Sequence, residues 1–402
     1  MAGTLSKSIS CTCYEVGHTW DKSCVNSTIQ LFYDCFKYSL KLYTPLYAAS
    51  AVLSGKRLEY FKKKFIRDVL QSSLFLGSSG GFMIFCFCVC RKLFGCFNIL
   101  SVGFLPGIIS AYCAILIERK SRRGALAVYM LNQAMETCFN MLKSSGYARD
   151  LPFGEVFLFA GSLSITMYLF RSNNLPDGII KDILQKVLGE KKLNKSVKNN
   201  EDVTYIKTSC ELAGKAFLAG YSLQASFNLL TTISRLYKHP SQLIKTLISK
   251  ANFCSGAFLG SLVAIFKLTE KALSKFQSLS APAKSAIAGA ISGFAMLFQR
   301  SSYIAIYLTS KTMESLYMSG IKKGMFPYFK HFDSLLYALT TGLMFHAALV
   351  QPLYLRPTYF KFLIRLTNTK FAGVNRFKMD PFGLDSSKID RMVAAGTFKF
   401  GI

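Results

Sequence analysis

The residues able to do chemistry in this chain are few and fall in two places. Near the start, Cys11, Cys13, His18 and Cys24 follow one another as Cys-x-Cys-x4-His-x5-Cys, with Trp20 before the last cysteine. Thiolate and imidazole are the ligands of tetrahedral zinc, which makes Cys13, His18 and Cys24 candidate metal ligands. Cys11 or Cys35 would complete the set. The spacing matches no standard finger, however, and reduced thiols on an ordered cap are the simpler account. Further along, Glu136 and Glu314 interrupt apolar stretches, each preceded by a tyrosine, Tyr129 or Tyr307. A carboxylate at membrane depth is costly and should face a cavity or a partner. These four residues outline a candidate polar groove; an interhelical hydrogen bond to each glutamate is the plainer alternative. The four histidines are scattered, with His346 a lone polar residue in an apolar stretch that reads as a packing group. There is no nucleophile elbow, zinc-protease helix, phosphate loop or dinucleotide fingerprint. Neither an enzyme nor a cofactor is expected.

The elements that must position these groups are written twice. Ile115–Phe139 recurs at an offset of 178 residues as Gly293–Tyr317. Arg122 aligns with Arg300, Tyr129 with Tyr307, Met135-Glu136 with Met313-Glu314, and Thr137 with Ser315. Outside this stretch Tyr43 aligns with Tyr221, and Glu155 with Asp333. A period this long reads as a duplicated domain rather than a short-unit solenoid.

Composition sets the medium. Of 402 residues, 51% are hydrophobic and only 17% charged, below the quarter expected of a soluble domain. The mean hydropathy is +0.30. This is the composition of a polytopic helical membrane protein. The net charge of +28 resides in clusters that flank the apolar stretches, which suits anionic lipid headgroups. No nucleic-acid-binding signature accompanies it, so a nucleic-acid partner is not expected. The 12 cysteines show no disulfide framework, and the N-terminus lacks the apolar core of a secretory signal.

The fold class that follows is an all-α membrane protein, a tandem duplication of a four-span unit, each preceded by an amphipathic helix. The divisions are a polar, cysteine-containing head (1–27), a first membrane repeat (28–170), a basic polar linker (171–206), a second repeat (207–352) and a basic amphipathic tail (353–402). Spans are expected at 69–90, 97–117, 124–142 and 153–170, and again at 253–268, 283–298, 303–318 and 334–350. Four crossings in the first repeat put ten basic loop residues on one side and four on the other, the sense of the positive-inside rule.

Small residues recur at i, i+4 in the first two spans of each repeat: Gly77 and Gly81, Gly103 and Gly107, Gly256 and Gly260, Gly289 and Gly293. In lipid, close backbone approach through small residues takes over from apolar burial as the packing force, and these eight are read as helix-packing positions. Arg122 and Arg300 begin equivalent helices and are candidate headgroup contacts, or ordinary positive flanks. Cys86, Cys88 and Cys90 beside Arg91 fit acylation at the membrane edge or, more simply, packing.

Three blocks resemble the transmembrane protein 135 family, also called peroxisomal membrane protein 52. They are Cys13–Trp20 with Ser23-Cys24, Ala114–Gly124, and Arg356–Leu363. The four-span unit is more distantly similar to mitochondrial inner-membrane import translocase subunits. The resemblance implies a multi-pass protein of mitochondrial and peroxisomal membranes. It implies a regulator of the balance of mitochondrial fission and fusion that promotes fission through a dynamin-related GTPase, with a part in peroxisome organisation. A lipid or fatty-acid transporter or scramblase of those membranes is the alternative, and membrane lipids, anionic ones above all, are expected partners in either case. It carries over no catalytic residue.

Overall fold

The computed structural model describes residues 7–53, 58–176, 179–188, 201–238 and 242–395. Lys56 and Arg57 of the first basic loop, the Lys/Asn-rich centre of the linker and the last seven residues lie outside this set. The described chain is helical apart from one two-residue pairing, Ser8–Ile9 antiparallel to Phe97–Asn98. The principal helices are α1 (Cys24–Leu53), α2 (Phe65–Phe94), α3 (Leu105–Ile117), α4 (Lys120–Ser144), α5 (Gly154–Arg171), α6 (Glu201–Lys238), α7 (Lys250–Ser274), α8 (Ala281–Ser292), α9 (Ser302–Lys322), α10 (Phe332–Val350) and α11 (Pro357–Leu366).

Among the described residues, five stretches are long and apolar enough to cross a membrane: Phe65–Phe94, Leu100–Ile117, Leu243–Ser274, Ala281–Phe298 and Phe332–Val350. This is an all-α membrane protein. Eight spans are expected from the sequence, and α4, α5 and α9 fall outside the five. The reason is legible in their side chains. Buried Asn132, Gln133 and Thr137 line one face of α4, Lys311 and Glu314 lie within α9, and Glu155 and Arg171 sit at the two ends of α5.

Helix ends follow local chemistry. Gly95 takes the left-handed conformation (φ 69°) that closes α2, with Arg91 and Lys92 in the last turn where carbonyls are unpaired. Ser280 and Ser301 cap the starts of α8 and α9 by accepting from the backbone three residues on.

The chain divides into two compact units, residues 1–149 with 329–402, and residues 150–328. In the first, α1 lies along α2, α2 packs on α3, and α10 packs on both α3 and α4. In the second, α6 lies along α7, α7 packs on α8, and α5 packs on both α8 and α9. These limits differ from repeats at 28–170 and 207–352, because the last helix of each expected repeat joins the other unit. Side chains explain the choice. On α5, Ser162 and Thr166 meet Thr309 and Thr312 of α9 through hydroxyl hydrogen bonds of 2.8 and 2.9 Å. On α10, Gly342 lies against Gly107, and Met344 accepts from Thr137 at 3.5 Å. The tail is core rather than appendage: Tyr359, Phe360, Leu363 and Ile364 of α11 are buried in the first unit.

All eight i, i+4 glycines stand at close helix approaches. Gly77 and Gly81 face Phe36 and Phe32 of α1; Gly256 and Gly260 face Phe217 of α6. Gly103 and Gly107 face His346 and Gly342 of α10; Gly289 and Gly293 face α5. A Cβ on Gly107 would lie 2.9 Å from the Cα of Gly342, whereas one on Gly161 meets nothing within 4 Å. Gly107→Leu should therefore lower stability in detergent by about 1–3 kcal/mol through overpacking, and Gly161→Leu should not. Equal unfolding midpoints for the two variants would contradict this packing.

Candidate functional site

The N-terminal cap is held by short-range hydrogen bonds. Thr12 and Glu15 form a reciprocal capping box around the single turn Cys13–Val16, which places Cys13 at its first position. Gly17 follows against Phe87 of α2; a Cβ there would lie 2.5 Å from the ring, so only glycine lets the cap approach α2 so closely. Arg91 of α2 donates to the carbonyls of Cys11 (2.7 Å) and Ser10 (2.9 Å). The C-terminal tail clasps the same cap. Asn375 donates to the Val16 carbonyl at 3.0 Å, and Thr19 donates to that of Gly373 at 2.8 Å.

These constraints bring Cys13, His18, Cys24 and Cys88 together, with one ligand atom from each lying within 4.8 Å of the others. Cys13, His18 and Cys24 are the candidate ligands of the sequence. The fourth member is Cys88 of α2, not Cys11 or Cys35. His18 is fully buried. Its Nδ1 donates to the Asp21 carbonyl at 2.8 Å, and its Nε2 is buried with no hydrogen-bond partner. The hydrogen bond from Cys88, opposed by burial and helped by His18 and Cys24, holds the Cys13 thiol well below its ordinary pKa. Burial alone would lower the His18 imidazole, but Cys13 and the Asp21 carbonyl outweigh it and raise it.

Beside the cluster lies a cavity of about 390 Å³ within the first unit. Gly17 and Trp20 of the cap line it, with Leu31 and Tyr43 of α1, Leu76 and Met83 of α2, Leu126 and Tyr129 of α4, Tyr337 and Phe345 of α10, and Leu363 of α11. The lining is overwhelmingly apolar. The indole Nε1 of Trp20 is buried without a hydrogen-bond partner, and the Lys370 ammonium stands 5.7 Å from its ring centroid. Lys370 is itself paired with Asp34 at 2.7 Å.

The two carboxylates singled out by the repeat lie in different units and have different partners. Glu136 pairs with Arg356, from the start of α11, at 2.5 Å. Glu314 pairs with Lys311 one turn away, at 2.6 Å, and is 45% exposed. Of the two tyrosines, Tyr129 reaches the cavity, and Tyr307 is partly exposed. The arginines diverge in the same way. Arg300 pairs with Glu155 at 2.6 Å and covers the Phe153 ring. Arg122 is engaged inside the first unit, donating to Tyr47 (2.6 Å), Ser72 (2.5 Å) and buried Glu118 (3.1 Å). Its neighbours join in. Arg119 pairs with Asp68 at 2.7 Å and also reaches the Tyr47 hydroxyl. Arg123 donates to the Leu116 and Glu118 carbonyls, closing the end of α3. Glu118–Arg123 is thus a polar staple that fixes the α3–α4 turn to α1 and α2.

Comparison with known proteins bears on this half of the molecule. Residues 10–143 match the family described as the N-terminal cysteine-rich region of transmembrane protein 135. Over that third of its length the chain is similar to the transmembrane protein 135 family. The match spans ten of the 12 cysteines, including the three in the cluster with His18. No solved structure matches the chain. The matched region holds both the cluster and the Glu118 staple. Breaking a buried ion pair costs about 3–5 kcal/mol, while an exposed one contributes about 1 kcal/mol or less. Glu118→Ala should accordingly destabilise the protein several times more than Glu314→Ala in chemical denaturation; equal losses would show that the staple is not a stabilising element.

Proposed function

We propose that this protein handles lipid, taking up an acyl chain or a comparably apolar molecule in the cavity of its first unit. The observation that carries the reading is the cavity itself. Its volume falls within the range of small-molecule sites, its walls are aliphatic and aromatic, and polar groups are few. Trp20 of the cap forms part of its wall. The reading is non-enzymatic.

Its setting is drawn from the family resemblance. The protein is proposed to reside in mitochondrial and peroxisomal membranes, to touch anionic lipids through its basic loops, and to act on peroxisome organisation. It is also proposed to promote fission by the dynamin-related GTPase, with lipid occupancy of the cavity as the input to that regulation. A tandem duplication belongs to the same proposal: the helices of each unit follow the same order of packing, with α10 and α5 taking equivalent places.

Filling the cavity tests the reading. Leu76→Trp replaces a half-buried lining residue with a larger one. The variant should lose at least about tenfold in labelling by a photoactivatable fatty acid in detergent, with an unchanged elution profile. Undiminished labelling of a well-folded variant would remove the cavity as the lipid site.

A further inference from the structure

The cysteine–histidine cluster is separate from the lipid reading and is unexplained by packing alone. We propose that Cys13, His18, Cys24 and Cys88 bind one zinc ion, a Cys3His site that fastens the N-terminal cap to α2. Three independent features point there. The first is distance. Ligand atoms about 2.0–2.3 Å from a tetrahedral ion stand roughly 3.5–3.8 Å apart, and these four already lie within 4.8 Å of one another, so an ion needs only a small contraction. The second is the histidine. Its Nδ1 is committed to the Asp21 carbonyl, the orientation typical of a zinc-bound imidazole, and Nε2 is left buried and unpaired. A buried ring nitrogen without a partner is costly unless it meets a donor or a metal. The third is the donor set. Three thiolates and one imidazole favour zinc among the divalent cations, and four protein ligands would leave no open position for a catalytic water.

The ligands come from three elements. Cys13 opens a single helical turn that His18 follows, Cys24 begins α1, and Cys88 lies six residues before the end of α2. An ion at their centre cross-links chain positions that no regular hydrogen-bond ladder joins. Gly17 and Trp20 lie between the ligands and line the cavity, so the ion also fixes that wall. Its role is structural.

The test uses the full chain purified in detergent without chelator. Metal analysis should give close to one zinc per chain. After chelation, refilling with Co²⁺ should produce the intense visible bands and thiolate charge-transfer absorption of a tetrahedral sulfur-rich site. Cys88→Ser should lose most of the zinc, and Cys11→Ser should keep it. Should Cys88→Ser not fold, maleimide labelling of the wild type decides: zinc must protect Cys13, Cys24 and Cys88, and chelation must expose them. A monodisperse wild type with neither stoichiometric zinc nor a tetrahedral cobalt spectrum overturns the proposal. So does a Cys88→Ser protein that keeps full zinc and an unchanged cobalt spectrum, or labelling that chelation does not alter.

Discussion

The constraint on which the rest of the structure depends is the approach of backbone to backbone. Helices in lipid gain little by burying apolar side chains against one another, so they associate where small residues let main chains come close. The second helix of this protein is made for that. Its buried face carries Ser72, Ser73, Gly77, Ser78, Ser79 and Gly81, and α1 lies along it with Phe32 and Phe36 directly over the glycines. Gly17 continues the same logic into the cap, which can sit on Phe87 only because it has no side chain. Farther along, Gly103 and Gly107 admit α10. Once α2 is fixed between α1, α3 and the cap, the positions of Cys88, of the Glu118 staple and of the cavity walls follow.

The polar groups divide into those that hold the frame and those that do not. Glu118 is buried and meets two arginines, a tyrosine hydroxyl is shared between Arg119 and Arg122, and Arg123 closes the carbonyls of α3. In a low-dielectric setting such a network orients its members and is expensive to break. Glu314 with Lys311 is a one-turn surface pair of the kind that contributes little.

What could be read in the sequence was local. Cys13, His18 and Cys24 stand close in the chain, so their spacing alone suggested a ligand set; Cys88 lies 64 residues beyond Cys24 in an apolar helix, and nothing in its surroundings distinguishes it from Cys86 or Cys90. The glycine pairs were legible because i, i+4 spacing defines a helix face regardless of partner. Which helix would lie on that face was not. Hydropathy does not record that Ser162 and Thr166 of α5 match Thr309 and Thr312 of α9, so the exchange of α5 and α10 between the units was invisible. Arg356 as the partner of Glu136 was hidden for the same reason, since it arrives from the far end of the chain. Eight spans follow from counting apolar stretches, and the amides at Asn132 and Gln133 that already weaken the third in the sequence form the buried polar face of α4.

The central claim is that the first unit encloses a specific site for an apolar ligand. The most direct measurement is native mass spectrometry of the wild-type protein, purified from its own membranes and stripped of loosely held lipid by collisional activation. The account predicts that one lipid or fatty-acid mass remains per chain after the annular lipids have gone, and that it departs only as the protein unfolds. A spectrum that resolves to the bare chain at the energy that removes annular lipid would contradict it.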